Sequence, residues 1–221
     1  MTAYLITGSN RGIGLEYCRQ LKNRGEEVIG TCRCSSKELE ALQISIETNV
    51  DAFSQFSIAN LKKKLGSKKI KVLILNAAIA ENVSLANLDS ESIKRQFEIN
   101  ALSPLIFVKS FLENLNKGSK VILMTSRMGS IEDNTSGGSY GYRMSKTALC
   151  MAGKSLSIDL KSHGIAVALL HPGLVSTRMT GFTPHGISPA KSVNGLIQRI
   201  DELSLKTTGS FWHANGEILP W

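Results

Sequence analysis

The stretch AYLITGSNRGIGLEYCRQL (3–21) decides how this chain reads. AYLIT is an apolar run with strand character, and GLEYCRQL opens a helical pattern. Between them TGSNRGIG (7–14) carries Gly8, Gly12 and Gly14. Each glycine at a helix entrance costs about 0.5–1 kcal/mol relative to alanine. What offsets that cost is the close approach such a turn allows. A bulky anion can lie against its backbone, facing the free N–H groups and positive dipole end of the helix. The spacing is G-x-x-x-G-x-G rather than G-x-G-x-x-G, so tight-turn chemistry stands as the alternative to a dinucleotide pyrophosphate site.

Working outward, strand-like runs at 3–7, 27–33, 43–48, 71–75, 120–125 and 165–171 alternate with helical segments near 13–24, 52–65, 89–116, 142–162 and 189–204. Continuous apolar strands alternating with helices predict a parallel sheet covered on both faces. Gly164 closes the helix that ends near His163, and Ser188-Pro189 supplies an N-cap and first-turn proline. With 221 residues, 42% of them hydrophobic and no internal repeat, the expectation is a single-domain, doubly wound (Rossmann) α/β fold spanning 1–221.

No apolar run reaches membrane-spanning length and the chain enters its first strand by residue 3, so a cytoplasmic protein is expected. Cys18, Cys32, Cys34 and Cys150 form no CxxC pair and have no nearby histidine at metal spacing; they read as reduced thiols, with no metal site. The net charge of +8 concentrates in Lys62, Lys63, Lys64, Lys68, Lys69 and Lys71. That cluster lacks an aromatic to stack a base and reads as a solvated helix end, not a nucleic-acid surface.

At the end of the second strand, where an NAD site holds an acidic residue, stand Arg33 and Cys34. An arginine there suits the 2′-phosphate of NADP, with Arg11 as a second cation; two surface arginines are the plain alternative. Tyr142 and Lys146, four apart, share one helix face. Ser126 follows strand 120–125 and Asn76 follows strand 71–75, both at the edge where a doubly wound sheet places ligands. Asn100 ends an earlier helical stretch. Tyr140 has Met144 four residues on, not lysine, and reads as wall of the site.

TGSNRGIG, LNAAI, FEINALSPL, MTSRMGSI, YRMSK and HPGLVSTRM, in that order, resemble the short-chain dehydrogenase/reductase family over essentially the whole chain. RMGSIEDNTSGGSYGYRMSK and the closing GEILPW are similar to its C-factor-like and sniffer-type carbonyl reductase branch. The resemblance implies an NADP(H)-dependent enzyme acting on a small carbonyl or alcohol, without nucleic-acid or membrane partners, and suggests a homodimer through helices 104–115 and 142–162. A dinucleotide-binding signalling protein of C-factor type is the other function it suggests.

The resemblance also assigns Ser126, Tyr142 and Lys146 as a catalytic triad, completed by Asn100 holding a water. Tyr142 would donate a proton to the substrate oxygen, with the Lys146 ammonium lowering the phenol pKa, and Ser126 would hold that oxygen. Cofactor contacts are implied for Gly8, Ser9, Asn10, Arg11, Gly12, Ile13, Gly14, Arg33, Cys34, Asn49, Val50, Asn76, Ala77, Ala78, Tyr142, Lys146, Pro172, Gly173, Val175 and Thr177. Thr177 corresponds to the residue binding the nicotinamide carboxamide.

Four departures from the family pattern stand out. Ala78 replaces the last glycine of Asn-Asn-Ala-Gly, and Asn49 takes the place of the adenine-binding aspartate. The Ser126–Tyr142 interval is lengthened through EDNTSGGS. Residues 178–190 form a short substrate lid, in which Met179 and Phe182, with Met128, are candidates for an apolar pocket. His171, before the Pro-Gly, reads as a packing residue.

Overall fold

The structure, a computed structural model, describes residues 2–221. Its strands are β1 (Ala3–Thr7), β2 (Val28–Thr31), β3 (Ser45–Glu47), β4 (Ile70–Leu75), β5 (Leu115–Met124), β6 (Ala166–His171) and β7 (Ser210–His213). All pair in parallel in one sheet, ordered β3-β2-β1-β4-β5-β6-β7. The order reverses between β1 and β4, which opens a crevice at the carboxyl ends of those two strands.

Alternation along each strand builds two cores. Tyr4 and Ile6 of β1, Val72 and Ile74 of β4, and Ile122 and Met124 of β5 face one side. Ala3, Leu5, Leu73, Leu75, Val121 and Leu123 face the other. Helices α1 (Gly12–Asn23), α2 (Lys37–Glu40) and α7 (Pro189–Glu202) cover the first side. Helices α3 (Gln55–Leu65), α5 (Ser103–Phe111) and α6 (Tyr140–Asp159) cover the second. Burying both faces is what lets strands this apolar exist in water.

Two sequence expectations need correction. The sheet has a seventh strand, β7, which is only four residues long. The helix expected over 89–116 is α4 (Ser90–Phe97), a π-turn (Glu98–Leu102), then α5 and a 3-10 turn (Leu112–Asn114), and β5 begins at Leu115. The π-turn places Asn100 with the buried face of the helix. In the lysine cluster, which lies at the surface, Lys62 pairs with Glu113, Lys64 with Glu47, Lys68 with Glu27 and Lys71 with Glu26.

The expected helix ends are present. Gly164 takes the left-handed conformation (φ 72°), and the Ser188 side chain accepts from the Lys191 N–H at 3.2 Å. All four cysteines are free. Among the described residues, no helix is long and apolar enough to cross a membrane.

Candidate active site

The glycine turn sits at the crevice, and its glycines have separate reasons. Gly8 and Gly12 hold positive φ of 70° and 56°. A Cβ on Gly14 would overlap the Gly8 carbonyl, so this residue is glycine because the turn folds back on its own helix. Gly12 instead looks across the crevice, with the Thr177 methyl 3.6 Å from where its Cβ would stand. The Arg11 side chain is exposed and leaves the first N–H groups of α1 uncapped.

Asn76 fastens this turn to β4. Its Nδ2 donates to the Thr7 and Gly8 carbonyls at 3.0 and 3.3 Å, and its N–H donates to Thr7 Oγ1 at 2.9 Å. Ala77 packs against Gly8, where a Cβ would lie 3.0 Å from the Ala77 Cα; Ala78 is half-buried beyond it. Asn10 ties the turn to the end of β2 by donating to the Cys34 carbonyl at 3.0 Å. Arg33 is exposed there, and among the described residues neither it nor Arg11 forms an ion pair. Asn49 adopts positive φ (59°), a conformation asparagine tolerates better than most residues.

This arrangement fits a dinucleotide. An uncapped helix N-terminus offers donors suited to a pyrophosphate, with an unpaired guanidinium exposed at that N-cap (Arg11) and another just past β2 (Arg33). Some expected contacts are not available from side chains. Ser9 is fully buried and donates to the Ile6 carbonyl at 2.8 Å. Val50 and Val175 are buried, and Ile13 packs on the core beneath α1. A ligand can meet Ser9, Val50 and Val175 only through their main chain, whereas Ile13 is partly exposed.

Beyond β5, Ser126 caps a 3-10 turn (Arg127–Gly129), its Oγ accepting from the Met128 N–H at 3.1 Å. That leaves the Ser126 O–H as a donor, and it lies beside the Tyr142 oxygen. The turn is seated directly on α6. A Cβ on Gly129 would meet the Lys146 main chain at 2.8 Å, and Thr147 Oγ1 donates to the Gly129 carbonyl at 3.0 Å. The lengthened interval 132–139 therefore loops outside this contact and leaves Ser126 and Tyr142 together.

Lys146 is buried, its Nζ donating to the Met124 carbonyl at 2.9 Å and standing 5.6 Å from the Tyr142 ring centre. Burial lowers its pKa to about 8. Burial also pushes the Tyr142 phenol up to about 12, opposed by Ser126. The lowering of the phenol expected from Lys146 is thus not what the protein alone provides; desolvation dominates, and only Ser126 opposes it.

Asn100 does not reach Lys146. Its Oδ1 accepts from the Ile79 N–H at 2.9 Å, and its Nδ2 donates to the Ile79 carbonyl at 2.8 Å and to Ser145 Oγ at 3.0 Å. Ser145 in turn donates to the Tyr142 carbonyl at 2.8 Å. Thr7 and Ser145 hold the site together without having stood out in the sequence, because Thr7 binds the Asn76 and Ala77 N–H groups and Ser145 the Asn100 side chain, partners distant along the chain.

The far wall comes after β6. Pro172 accepts from Ser192 Oγ at 2.7 Å. Gly173 has φ 83°, and a Cβ there would lie 3.3 Å from His213 Nε2. Thr180 Oγ1 accepts from the Thr177 N–H at 3.1 Å and donates to the Val175 carbonyl at 2.6 Å. Segment 178–190 is held by pairing between Val175 and Ile187, with Met179 and Phe182 exposed.

Residues 2–187 match the family model for short chain dehydrogenase. The chain belongs to the short-chain dehydrogenase/reductase family. It is 41% identical to the 1-hydroxy-2-glutathionyl-2-methyl-3-butene dehydrogenase of Rhodococcus sp. (strain AD45), over 100% of both chains. It is 43% identical to the C-signal of Myxococcus xanthus over 69% of this chain and 93% of that one. Among solved structures, the NADPH-bound carbonyl reductase from chicken fatty liver matches with TM-score 0.91 and 28% identity, covering 100% and 99% of the two chains. Carbonyl reductase Sniffer of D. melanogaster matches with TM-score 0.91 and 30% identity, covering 100% of each. The carbonyl reductase and C-factor likeness seen in the sequence is thus matched by relatives in both comparisons.

Proposed function

We propose that this short-chain dehydrogenase/reductase is an NADPH-dependent carbonyl reductase, converting an aldehyde, ketone or quinone to an alcohol, with Tyr142 as proton donor. The observation that carries the reading is the placement of the Tyr142 phenol beside the Ser126 hydroxyl and one helical turn from a buried Lys146. The NADPH-bound chicken carbonyl reductase and the two unpaired arginines support the choice of cofactor.

The chemistry that bound NADPH supplies is hydride donation. The pyrophosphate would lie against the N–H groups of Gly12 and Ile13, and Arg33 and Arg11 would hold the 2′-phosphate. Thr177, whose methyl lies 3.6 Å from where a Gly12 Cβ would stand, would meet the nicotinamide end. Ser126, its oxygen already accepting from Met128, donates to the substrate oxygen and stabilises the charge that develops there. Tyr142, kept protonated by burial, gives its proton to the same oxygen. Lys146, whose ammonium is weakened by burial, surrenders a proton near neutral pH and resupplies the phenol. Asn100 and Ser145 fix the first turn of α6 so that these groups keep their spacing.

The test is loss of NADPH absorbance against a panel of aldehydes, ketones, quinones and a glutathione-conjugated aldehyde, the last prompted by the Rhodococcus relative. Tyr142→Phe is expected to lower kcat by about 10²–10⁴-fold. Undiminished turnover in that variant would overturn the mechanism. The 43% identity to C-signal supports a second reading, a dinucleotide-binding signalling protein. In that case a signalling phenotype survives in Tyr142→Phe with NADPH affinity retained.

A further inference from the structure

Directly after Ser126 the turn Arg127–Gly129 faces a segment 90 residues further along the chain. That segment, 217–221, doubles back along β7. Trp212 pairs antiparallel with Ile218, and the His213 and Leu219 N–H groups donate to the Glu217 and Phe211 carbonyls, each at 2.8 Å. Three bonds then reach from this hairpin to the Ser126 turn. Arg127 Nη2 donates to Glu217 Oε2 at 2.6 Å. The Trp221 main-chain oxygen accepts from the Glu132 N–H at 3.0 Å and from Ser130 Oγ at 3.2 Å.

Arg127 also pairs through Nη1 with Asp133 Oδ2 at 3.2 Å. One guanidinium therefore ties both ends of 127–133 to the β7 hairpin. The Trp221 ring rests on Phe211, with centroids 5.5 Å apart. From the opposite side the turn is pressed on α6 at Gly129 and Lys146. The N–H that orients the Ser126 hydroxyl belongs to Met128, inside this clamp.

We infer that Arg127 is a positioning residue: with Glu217 and the 217–221 strap it fixes the turn that aims the Ser126 hydroxyl at the substrate oxygen. The inference rests on the reading of Ser126 as the group that holds that oxygen. Both partners of the Arg127–Glu217 pair are part-exposed, with side-chain exposures of 38% and 44%, so the pair adds little to global stability. Its effect is local. A displacement of about 1 Å in a reacting group is enough to slow a reaction by up to 10²-fold.

The experiment is a double-mutant cycle on the full chain, with NADPH and 4-nitrobenzaldehyde. Arg127→Met is expected to lower kcat about tenfold, leaving the KM for NADPH and the melting temperature unchanged. In a Ser126→Ala background the same change is expected to cost nothing more, because the effect passes through Ser126. Arg127→Lys, which can keep a bond to Glu217, restores most of kcat. Full kcat in Arg127→Met, or an equal loss with and without Ser126, overturns the inference. Full activity in Ser126→Ala, or no turnover by the parent protein, overturns the underlying functional reading. If Arg127→Met does not fold, Glu217→Gln enters the same cycle and is expected to give the same coupling.

Discussion

Lys146 stands 5.6 Å from the centre of the Tyr142 ring while its Nζ donates to the Met124 carbonyl oxygen at 2.9 Å. An ammonium held in this buried place is costly, and burial brings its pKa from 10.5 to about 8. The unfolded chain therefore binds the proton more tightly than the fold does. Stability is held down below about pH 8 and recovers as pH rises from 8 toward 10.5.

Lys146→Met is accordingly expected to melt higher than the parent at neutral pH, by about 1–3 kcal/mol, while losing reductase activity. The stabilisation should shrink when both proteins are melted at higher pH. A variant that melts lower at neutral pH would show that the bond to Met124 outweighs the desolvation.

Arg33 carries the cofactor prediction. It is exposed and forms no ion pair among the described residues, so removing it leaves no partner stranded inside the fold. A lost charge-assisted pair of about 1.5–3 kcal/mol with a 2′-phosphate corresponds to a KM for NADPH raised roughly tenfold or more in Arg33→Ala. The KM for NADH, which lacks that phosphate, is expected to stay level. Steady-state titration of both cofactors checks it, and equal use of the two by the parent protein would refute the assignment.

Where the sequence could be read, it was through local pattern. The continuous apolar runs AYLIT and KVLIL marked β1 and β4 to within a residue, because each strand buries both faces and has little room for polar residues. SFWH was missed as β7: four residues carry too little pattern to separate a strand from a loop. The π-turn over EINAL was equally hidden, since its composition is that of an ordinary helix.

The Tyr142–Lys146 pair was legible from helical spacing taken together with the family resemblance. The bonds that seat it were not, because Asn100 to Ser145 and Arg127 to Glu217 join residues 45 and 90 positions apart. The three glycines of 7–14 looked like one signal of ligand approach. In the fold Gly14 answers to the Gly8 carbonyl, and only Gly12 faces the crevice.

That division makes Gly14 and Gly12 separable by mutation. Gly14→Ala forces a methyl into the Gly8 main chain, a backbone overlap that a rotamer change cannot relieve. The expected cost is about 1–3 kcal/mol, seen as a melting temperature lower by several degrees even without cofactor. Gly12→Ala meets only the Thr177 methyl at 3.6 Å and pays mainly for its positive φ of 56°. It should destabilise less and weaken NADPH binding more, as read by calorimetric titration. Equal effects of the two variants on both measurements would contradict this division.

His171 gives the acid limb of the stability curve. Its ring meets His213 edge-on, with centroids 4.9 Å apart, and its Nδ1 is buried without a hydrogen-bond partner. His213 Nδ1 accepts from the Asn215 N–H at 3.0 Å, so it cannot donate to its neighbour from that atom. Burial, then His213, then the Arg127 guanidinium hold the His171 pKa down to about 3. The fold therefore keeps this imidazole neutral while the unfolded chain protonates near 6.5. Stability is intact above pH 6.5 and is lost as pH falls from 6.5 toward 3, by about 2–3 kcal/mol at about pH 4.5 from this one group. His171→Asn removes the titration, so its urea midpoint is expected to fall less than the parent's between neutral pH and about pH 4.5. An unchanged acid dependence in His171→Asn would mean that another group sets the limb, and that the neutral pair beneath Gly173 is only packing.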